Sequence, residues 1–568
     1  MTTVPPVWLE AWLSTSRTSR QPASTGESHD SRIHFPGDGR ADGTGAYGTA
    51  ADGGSMTTNR LERTHTQLRP TSDFRLPADT GDVLAHRIRR VHERVAQMTE
   101  RRTPTAIAEL AMHYDQGGCT DKAYQYALMA SEHARIAYAH QEAQELLQIA
   151  ERNAGSDGAL ADVRIRMAQV AEVTGQFEEA EALCDSAIEW MLMHADPRRT
   201  IAPRRIRERI RSALGQPARQ TLAACITLDE EAKARGLDAE RVALLTMISQ
   251  AQSRLGERGA AERSASEGVS LGERLGDVGL LADNLVRLGV TRETVASDEA
   301  RGLYRRALDL YTSVGDFRGQ ARCHNNLGIS HQLRGEWSSA QEEFDRAIAA
   351  ARSAGMREIW GVAALNSGVM SLKRAEYDRA GDRFGEALAI FAAMKDTERQ
   401  MYAVYNLAHL ERERSDLDAA TDLYDVACAM SRSIGQSDVD IGARAGYGLA
   451  LLDQGKDVAA RVASLESAER LRGRAEWFQG RELAEALRIR VLALDGRTAD
   501  AQRRLDDALA LAKPTDMYGA AWLAANCATA FDGADRSYVR GLITEYSSGA
   551  KAVGYTAIVT RLEAAAMN

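Results

Sequence analysis

At 568 residues, 44% hydrophobic and 27% charged, the chain is longer than one ordinary globular core supports, so several domains or a repeat array are expected. Its formal charge of −9 argues against a nucleic-acid footprint, which needs a basic face, and no uncharged apolar run reaches the ~20 residues that cross a bilayer. Six cysteines with no CxxC pair fit buried thiols in a reducing compartment. The start, MTTVPPVWLEAWL, has no basic n-region of a signal peptide, so a cytoplasmic location is expected.

Residues 1–80 are rich in Gly, Ser, Thr, Asp and Arg without apolar periodicity. Such a segment buries too little surface to offset its ordering entropy, which predicts a disordered low-complexity tail. Met56 follows a Gly-rich stretch and reads as an alternative translation start. Few aromatics, 11 prolines and an apolar share dominated by Ala and Leu favour helix from there on, with residues 81–157 as an N-terminal helical region.

Residues 158–515 repeat a pattern. Gly335–Ala347 (GEWSSAQEEFDRA), Ala375–Ala387 (AEYDRAGDRFGEA) and Ser415–Ala427 (SDLDAATDLYDVA) are copies of one segment. Each has a turn residue, a large side chain two places on (Trp337, Tyr377, Leu417), Ala (Ala340, Ala380, Ala420), an aromatic four later (Phe344, Phe384, Tyr424) and Ala again. Weaker copies surround Gly175, Gly256, Ala300, Gly455 and Gly496. A period of about 40 residues is that of a helix-pair repeat. Twelve residues before each first Ala stands a small residue (Gly328, Gly368, Ala408), which predicts close crossing of two antiparallel helices. The spacing is lost over 516–568, read as a C-terminal helical cap.

This spacing resembles the tetratricopeptide repeat in a version longer than its usual ~34 residues, and the longer period is similar to the arrays of LuxR-type and MalT-like regulators and of kinesin light chains. Residues 85–153 are similar to the helical region behind the ATPase module of bacterial signal-transduction ATPases, with no such module in front of them. The resemblance implies an all-α fold, an α-α superhelix of antiparallel helix pairs, that binds a protein or peptide in its concave groove. The alternative it implies is a regulatory subunit acting in trans with an ATPase, cyclase or transcription regulator.

Sequence patterns for chemistry fail on context. Gly455-Lys456 is followed by Asp457, so there is no phosphate loop. Gly43–Gly48 matches GxGxxG inside the low-complexity tail, and Gly268–Gly272 matches GxSxG without a preceding strand. His133/His140 and His324/His331 share helical faces but have no third ligand. The basic run Arg198, Arg199, Arg204, Arg205, Arg207, Arg209 and Arg211 reads as a solvated face with acidic partners. No catalytic role, metal or cofactor is expected.

One constellation remains. Asn326, Asn366 and Asn406 occupy one slot of three successive first helices, where an amide ladder could read the N–H and C=O of an extended peptide; in tetratricopeptide proteins similar to this one, Asn in that slot binds peptide backbone. Arg322, Lys373, Tyr402 and His409 lie a turn or two away, and Arg287 takes the slot in the preceding unit. The partner expected is a protein or peptide, with neither nucleic acid nor membrane, and homo-oligomers are compatible with this reading.

Overall fold

In the computed structural model, the described residues are 78–567, apart from residues 195, 294–296, 475–477, 479, 514–515, 532–535 and 553–554. The tail expected over 1–80, with Met56 and Gly43–Gly48, lies outside them except for residues 78–80, which belong to the first helix.

The described residues hold 25 α-helices and no strand. They begin with α1 (Ala78–Arg102), α2 (Ile107–Gly117), α3 (Thr120–Ile136) and α4 (His140–Arg152). Hairpin pairs follow: α5/α6 (Asp157–Thr174, Phe177–His194), α7/α8 (Pro197–Ala213, Ala218–Ala234), α9/α10 (Asp238–Arg254, Arg258–Leu275) and α11/α12 (Val278–Arg292, Ser297–Ser313). The central pairs are α13/α14 (Phe317–Leu333, Trp337–Ser353), α15/α16 (Arg357–Lys373, Tyr377–Ala393), α17/α18 (Thr397–Glu413, Leu417–Ile434) and α19/α20 (Ser437–Asp453, Asp457–Arg470). Then come α21/α22 (Arg481–Leu494, Thr498–Ala512) and α23 (Met517–Ala528), α24 (Arg536–Ala552) and α25 (Thr556–Met567). Residues 89–567 belong to one compact unit, and residues 78–88 at the start of α1 fall outside it. Within that unit α1 is tied down by Glu100, whose carboxylate accepts from Tyr114 Oη (2.5 Å), Tyr126 Oη (2.7 Å) and Lys122 Nζ (2.7 Å).

Local chemistry explains each hairpin. The turn residue after a first helix adopts a left-handed backbone: Gly335 at φ 73°, Gly455 at φ 75°, where glycine carries no Cβ penalty. Ala375 and Ser415 hold the same turn at φ 60° and 64°, a conformation costing an L-residue roughly 1–2 kcal/mol, so the tertiary packing overrides local preference there.

That packing rests on an aromatic ring seated on a glycine. A Cβ added to Gly328 would lie 2.5 Å from Phe344 Cε1, one on Gly368 2.6 Å from Phe384 Cδ1, and one on Gly289 2.5 Å from Tyr304 Cε1. The small residue at the helix crossing is therefore the socket for the ring of its own hairpin. Ala340, Ala347, Ala380, Ala387, Ala420 and Ala427 around these rings are fully buried. The pair α7/α8 departs from the pattern: its first helix is Arg-rich and has Pro203 inside it, which is why no copy of the repeat is visible in that stretch of sequence.

The array coils tightly enough to touch itself. The α3–α4 loop meets the α12–α13 loop: Tyr138 Oη donates to Asp316 Oδ1 (3.2 Å) and accepts from the Phe317 N–H (3.0 Å). Tyr138 and Val173 also pack on Ala321, Ala354 and Met356. Further along, α14 meets α23 and the residue before α25, with Trp337 stacked on Tyr555 (centroids 4.0 Å apart) and tilted against Tyr518 (5.5 Å). Arg561 on α25 donates to Glu413 on α17 at 2.6 Å. The C-terminal helices thus fold back over the central repeats as well as ending the stack.

Gly328→Ala should destabilise the chain by about 1–3 kcal/mol, the usual cost of overpacking, and Phe344→Leu in the same chain should restore part of that loss because it vacates the space. Urea unfolding followed by circular dichroism checks this; a Gly328→Ala chain as stable as the original would contradict the socket.

Candidate functional site

Because first helices form the inner layer of the coil, their polar side chains converge. At the N-terminal end these are Glu172 on α5, Arg209 on α7, Asp283 on α11, and Arg318 and Arg322 on α13. Arg209 donates twice to Glu172 (2.5 and 2.6 Å). Asp283 Oδ1 accepts from Arg322 Nη1 (2.7 Å) and from Tyr311 Oη (2.6 Å). Burial pulls the Asp283 carboxyl upward, but Arg322 and Tyr311 outweigh it and hold it below the usual range. Asp283 and Arg322 are deeply enclosed by protein while their side chains stay 36% and 26% exposed. Both groups are crowded by protein and still reached by water.

A second stretch lies where the C-terminal helices fold back. Lys373 Nζ sits 4.2 Å from the centroid of Tyr518 and 5.3 Å from that of Trp337, the arrangement of a cation over aromatic faces. Asp516 and Glu482 act on it electrostatically. Burial first, and then the neighbouring Asp516, push the Glu482 carboxyl up to about 8, although its Oε2 accepts from the Gly480 N–H at 2.8 Å. Tyr405 reaches between Gly442 and Gly480, where a side chain at either position would meet its hydroxyl.

The residues singled out from sequence divide between these regions and the packed layer. Arg322 belongs to the first stretch and Lys373 to the second. Tyr402 is buried, and burial followed by Glu398 and Asp438 pushes its hydroxyl up to about 12. His409 packs edge-on to Tyr405 and Tyr424, and burial with Arg412 nearby lowers it to about 3, so it is neutral. Arg287 is half-buried on α11. The three asparagines do not form one ladder. Asn366 is 3% exposed and donates to Asn325 Oδ1 (3.1 Å), and Asn406 is 4% exposed and donates to the carbonyl of Tyr402 in its own helix (3.1 Å). Asn326 is half-buried, and no hydrogen bond of its amide occurs among the described residues.

Successive first helices from α13 to α19 start 40 residues apart, while the amide contacts between them are offset from that repeat. Asn284, Asn325 and Asn366 are spaced by 41, and each of the two ends bonds to the preceding first helix, Asn284 to the Val242 carbonyl (3.1 Å) and Asn366 to Asn325. That spacing was available in the sequence. The basic pair Arg318/Arg322, one turn apart at the start of an inner helix, was visible too, but only Arg322 was drawn into the expected site.

Several other features resolve structurally. Gly268–Gly272 lies inside α10, and a side chain at Gly268 would collide with Asn284. His324 Nδ1 lies 2.7 Å from Glu343 Oε2 and His331 Nδ1 2.5 Å from Glu336 Oε2. On α7, Arg199, Arg204, Arg205, Arg207, Arg209 and Arg211 pair with Asp162, Glu231, Glu240, Asp185, Glu172 and Glu181. No group of three metal-ligating side chains occurs among the described residues, and no described helix is long and apolar enough to cross a membrane.

A tandem array of helix hairpins with polar inner faces defines the class, an α-solenoid. Within it, residues 286–353 match the sequence model of the tetratricopeptide repeat family, so that stretch of the array is of tetratricopeptide type. No curated protein matches it. Among solved structures it is similar to a Rap protein complexed with competence and sporulation factor (15% identity, 61% of this chain and 99% of that one, TM-score 0.41). It is also similar to the quorum sensor NprR from B. thuringiensis (11%, 67% and 97%, TM-score 0.37). A third is a signal transduction ATPase with a tetratricopeptide repeat sensor from Pyrococcus horikoshii (14%, TM-score 0.37), where 67% of this chain covers 53% of that one.

Glu482 generates a pH prediction. Folded, it keeps its proton up to about 8, whereas an unfolded glutamate titrates near its ordinary value, about 4.3. Folding therefore takes up a proton between those values, and this contribution to stability is lost as pH rises through them. Glu482→Gln should leave Tm nearly unchanged at the acid end of the window and raise it progressively above wild type toward pH 8. A difference independent of pH would contradict the buried carboxyl.

Proposed function

We propose that the chain binds an extended peptide or protein segment in the hollow lined by its first helices, and that it acts by binding, without chemistry of its own. The observation that carries this reading is the distribution of polarity. The layers between helices are sealed with Ala, Leu and aromatic side chains, while Glu172, Arg209, Asp283, Arg318, Arg322, Lys373 and Glu482 gather along the inner wall. Partly exposed ion pairs contribute little to stability, so packing alone gives this wall no reason to be polar. An extended segment offers backbone donors and acceptors all along its length, and Asn326, with an uncommitted amide, is the sequence-derived residue best suited to meet it. The backbone-reading role expected of Asn366 and Asn406 would need them to release their bonds within the chain.

The Rap and NprR structures, named for a complex with a sporulation factor and for quorum sensing, are arrays of this type, and a peptide signal is the ligand class we favour here. A partner enzyme or transcription regulator would then read the peptide-bound state. We propose no nucleic-acid role.

Phage display of random peptides against the purified chain tests this. Selected peptides should bind in fluorescence anisotropy, and Asn326→Trp, which fills the hollow, should weaken them at least about tenfold, or about 1.4 kcal/mol, with the helical circular dichroism unchanged. Peptides that bind the variant equally well would place the site elsewhere.

A further inference from the structure

The first helix carries an apolar face turned away from the array. In α1, Leu84, Ile88, Val91, Val95 and Met98 recur at alternating spacings of four and three residues. At ~100° per residue they fall within an arc of about 80°, centred about 120° away from Ala96. The side of α1 that meets the array is a different one. Ala96 is fully buried there, Glu93 packs on Gly117, and Glu100 holds Tyr114, Lys122 and Tyr126. The apolar seam meanwhile faces solvent: Leu84 is 58% exposed, Ile88 48%, Val91 59% and Met98 51%, with Val95 half-buried. A helix that serves only its own fold turns such residues inward, and a contiguous apolar patch left outside marks an interaction surface.

Charge beside the seam narrows what fits it. Arg87, Arg94 and Arg101 stand seven residues apart along one edge, with Arg90 next to them. All four are exposed, and none has an ion pair among the described residues. On α7, by contrast, six arginines pair with acids of neighbouring helices. The opposite edge of the seam holds Ala85, His92 and Thr99. Alternating spacings of four and three make a narrow seam that takes one partner helix, each apolar side chain inserting among those of the other. A second copy of α1 would bring Arg, Ala, His and Thr to these edges and no carboxylate. A bilayer surface favours a face with Trp, Phe and Leu, and α1 has one Leu and no aromatic ring besides its histidines. Independently of the hollow, we propose that α1 docks an amphipathic helix of another protein, with apolar residues at the same spacing and Asp or Glu along the edge that meets Arg87, Arg94 and Arg101. From Leu84 to Met98 the seam runs ~21 Å at 1.5 Å per residue, the length of about four turns of the partner.

The test uses the full chain and three fluorescein-labelled helical peptides, measured by anisotropy below the concentration at which they self-associate. One has Leu at the seam positions and Glu flanking them, the second keeps the Leu seam and replaces Glu by Lys, and the third keeps Glu and has Ser in the seam. The first should bind at least about tenfold more tightly than either of the others. Val91→Gln combined with Met98→Gln, both at exposed positions, should remove that advantage with the helical circular dichroism unchanged. Arg94→Glu combined with Arg101→Glu should transfer the preference to the Lys peptide, a reversal that loss of structure does not produce. Equal binding of the Glu and Lys peptides, or binding by none of the three, would overturn the proposal and leave the reading of the hollow standing. Three further results would also overturn it by naming another occupant. A dimer in sedimentation velocity that the Val91→Gln/Met98→Gln chain no longer forms would give the seam to a second copy. Seam-dependent binding to phosphatidylcholine–phosphatidylserine vesicles, with no peptide preferred, would give it to a membrane. Binding of the Glu peptide only after removal of residues 1–55 would give it to the chain's own first residues.

Discussion

A ring seated on a glycine is the contact on which the rest of this structure depends. Where Phe344 occupies the volume that a side chain at Gly328 would need, and Phe384 does the same at Gly368, the two helices of a hairpin approach to the close end of the usual 8–10 Å separation. The alanines on either side, all without solvent exposure, let the next hairpin approach as closely. Small contacts on one side of each helix and larger ones on the other make every hairpin a wedge, and wedges stacked in sequence curve. Nine helices along, the curve has come round far enough for Tyr138 to reach Asp316 and for Trp337 to reach Tyr518.

That closure changes the character of the inner wall. In an open array, a charged side chain on a first helix would project into water at little cost. In this one it projects toward the opposite wall, and the chain answers with pairing: Arg209 with Glu172, Arg322 with Asp283, and Arg412 with Asp453 at 2.9 Å. The pairs are not interchangeable along the hollow. The N-terminal end is richer in guanidinium, and the C-terminal end sets aromatic rings, Lys373, Glu482 and Asp516 together. Two chemically distinct ends give a ligand a direction, which an array of identical polar slots would not.

Much of this architecture was legible in the residues. The three central copies from Gly335 to Ala427 specify hairpin, turn and socket because each position is held by packing within the pair, and such constraints recur in every copy. The pair α7/α8 was not visible as a repeat, since its arginines satisfy acids on neighbouring hairpins and need no aromatic at the repeat position. Two of the three asparagines of the expected ladder, Asn366 and Asn406, bond within the chain. First and second helices alike repeat every 40 residues in the central pairs, but the amide contact between neighbouring first helices joins Asn366 to Asn325, one place off that repeat. The folding back of the last helices onto Trp337, Lys373 and Glu413 is a contact between residues more than a hundred positions apart, and no local pattern announces it.

Curvature is the claim from which the hollow, its paired charges and its ligand all follow, and a distance measurement reaches it directly. Spin labels at Ala137 and Val314, both exposed and beside the loops that meet, can be placed on a chain lacking Cys119, the one cysteine that is not buried. An uncurved stack of nine helices in two layers, at 8–10 Å per neighbour, would hold the two sites on the order of 40 Å apart. Double electron–electron resonance should instead give one narrow population well below that separation; a distribution centred near the uncurved value would contradict the account.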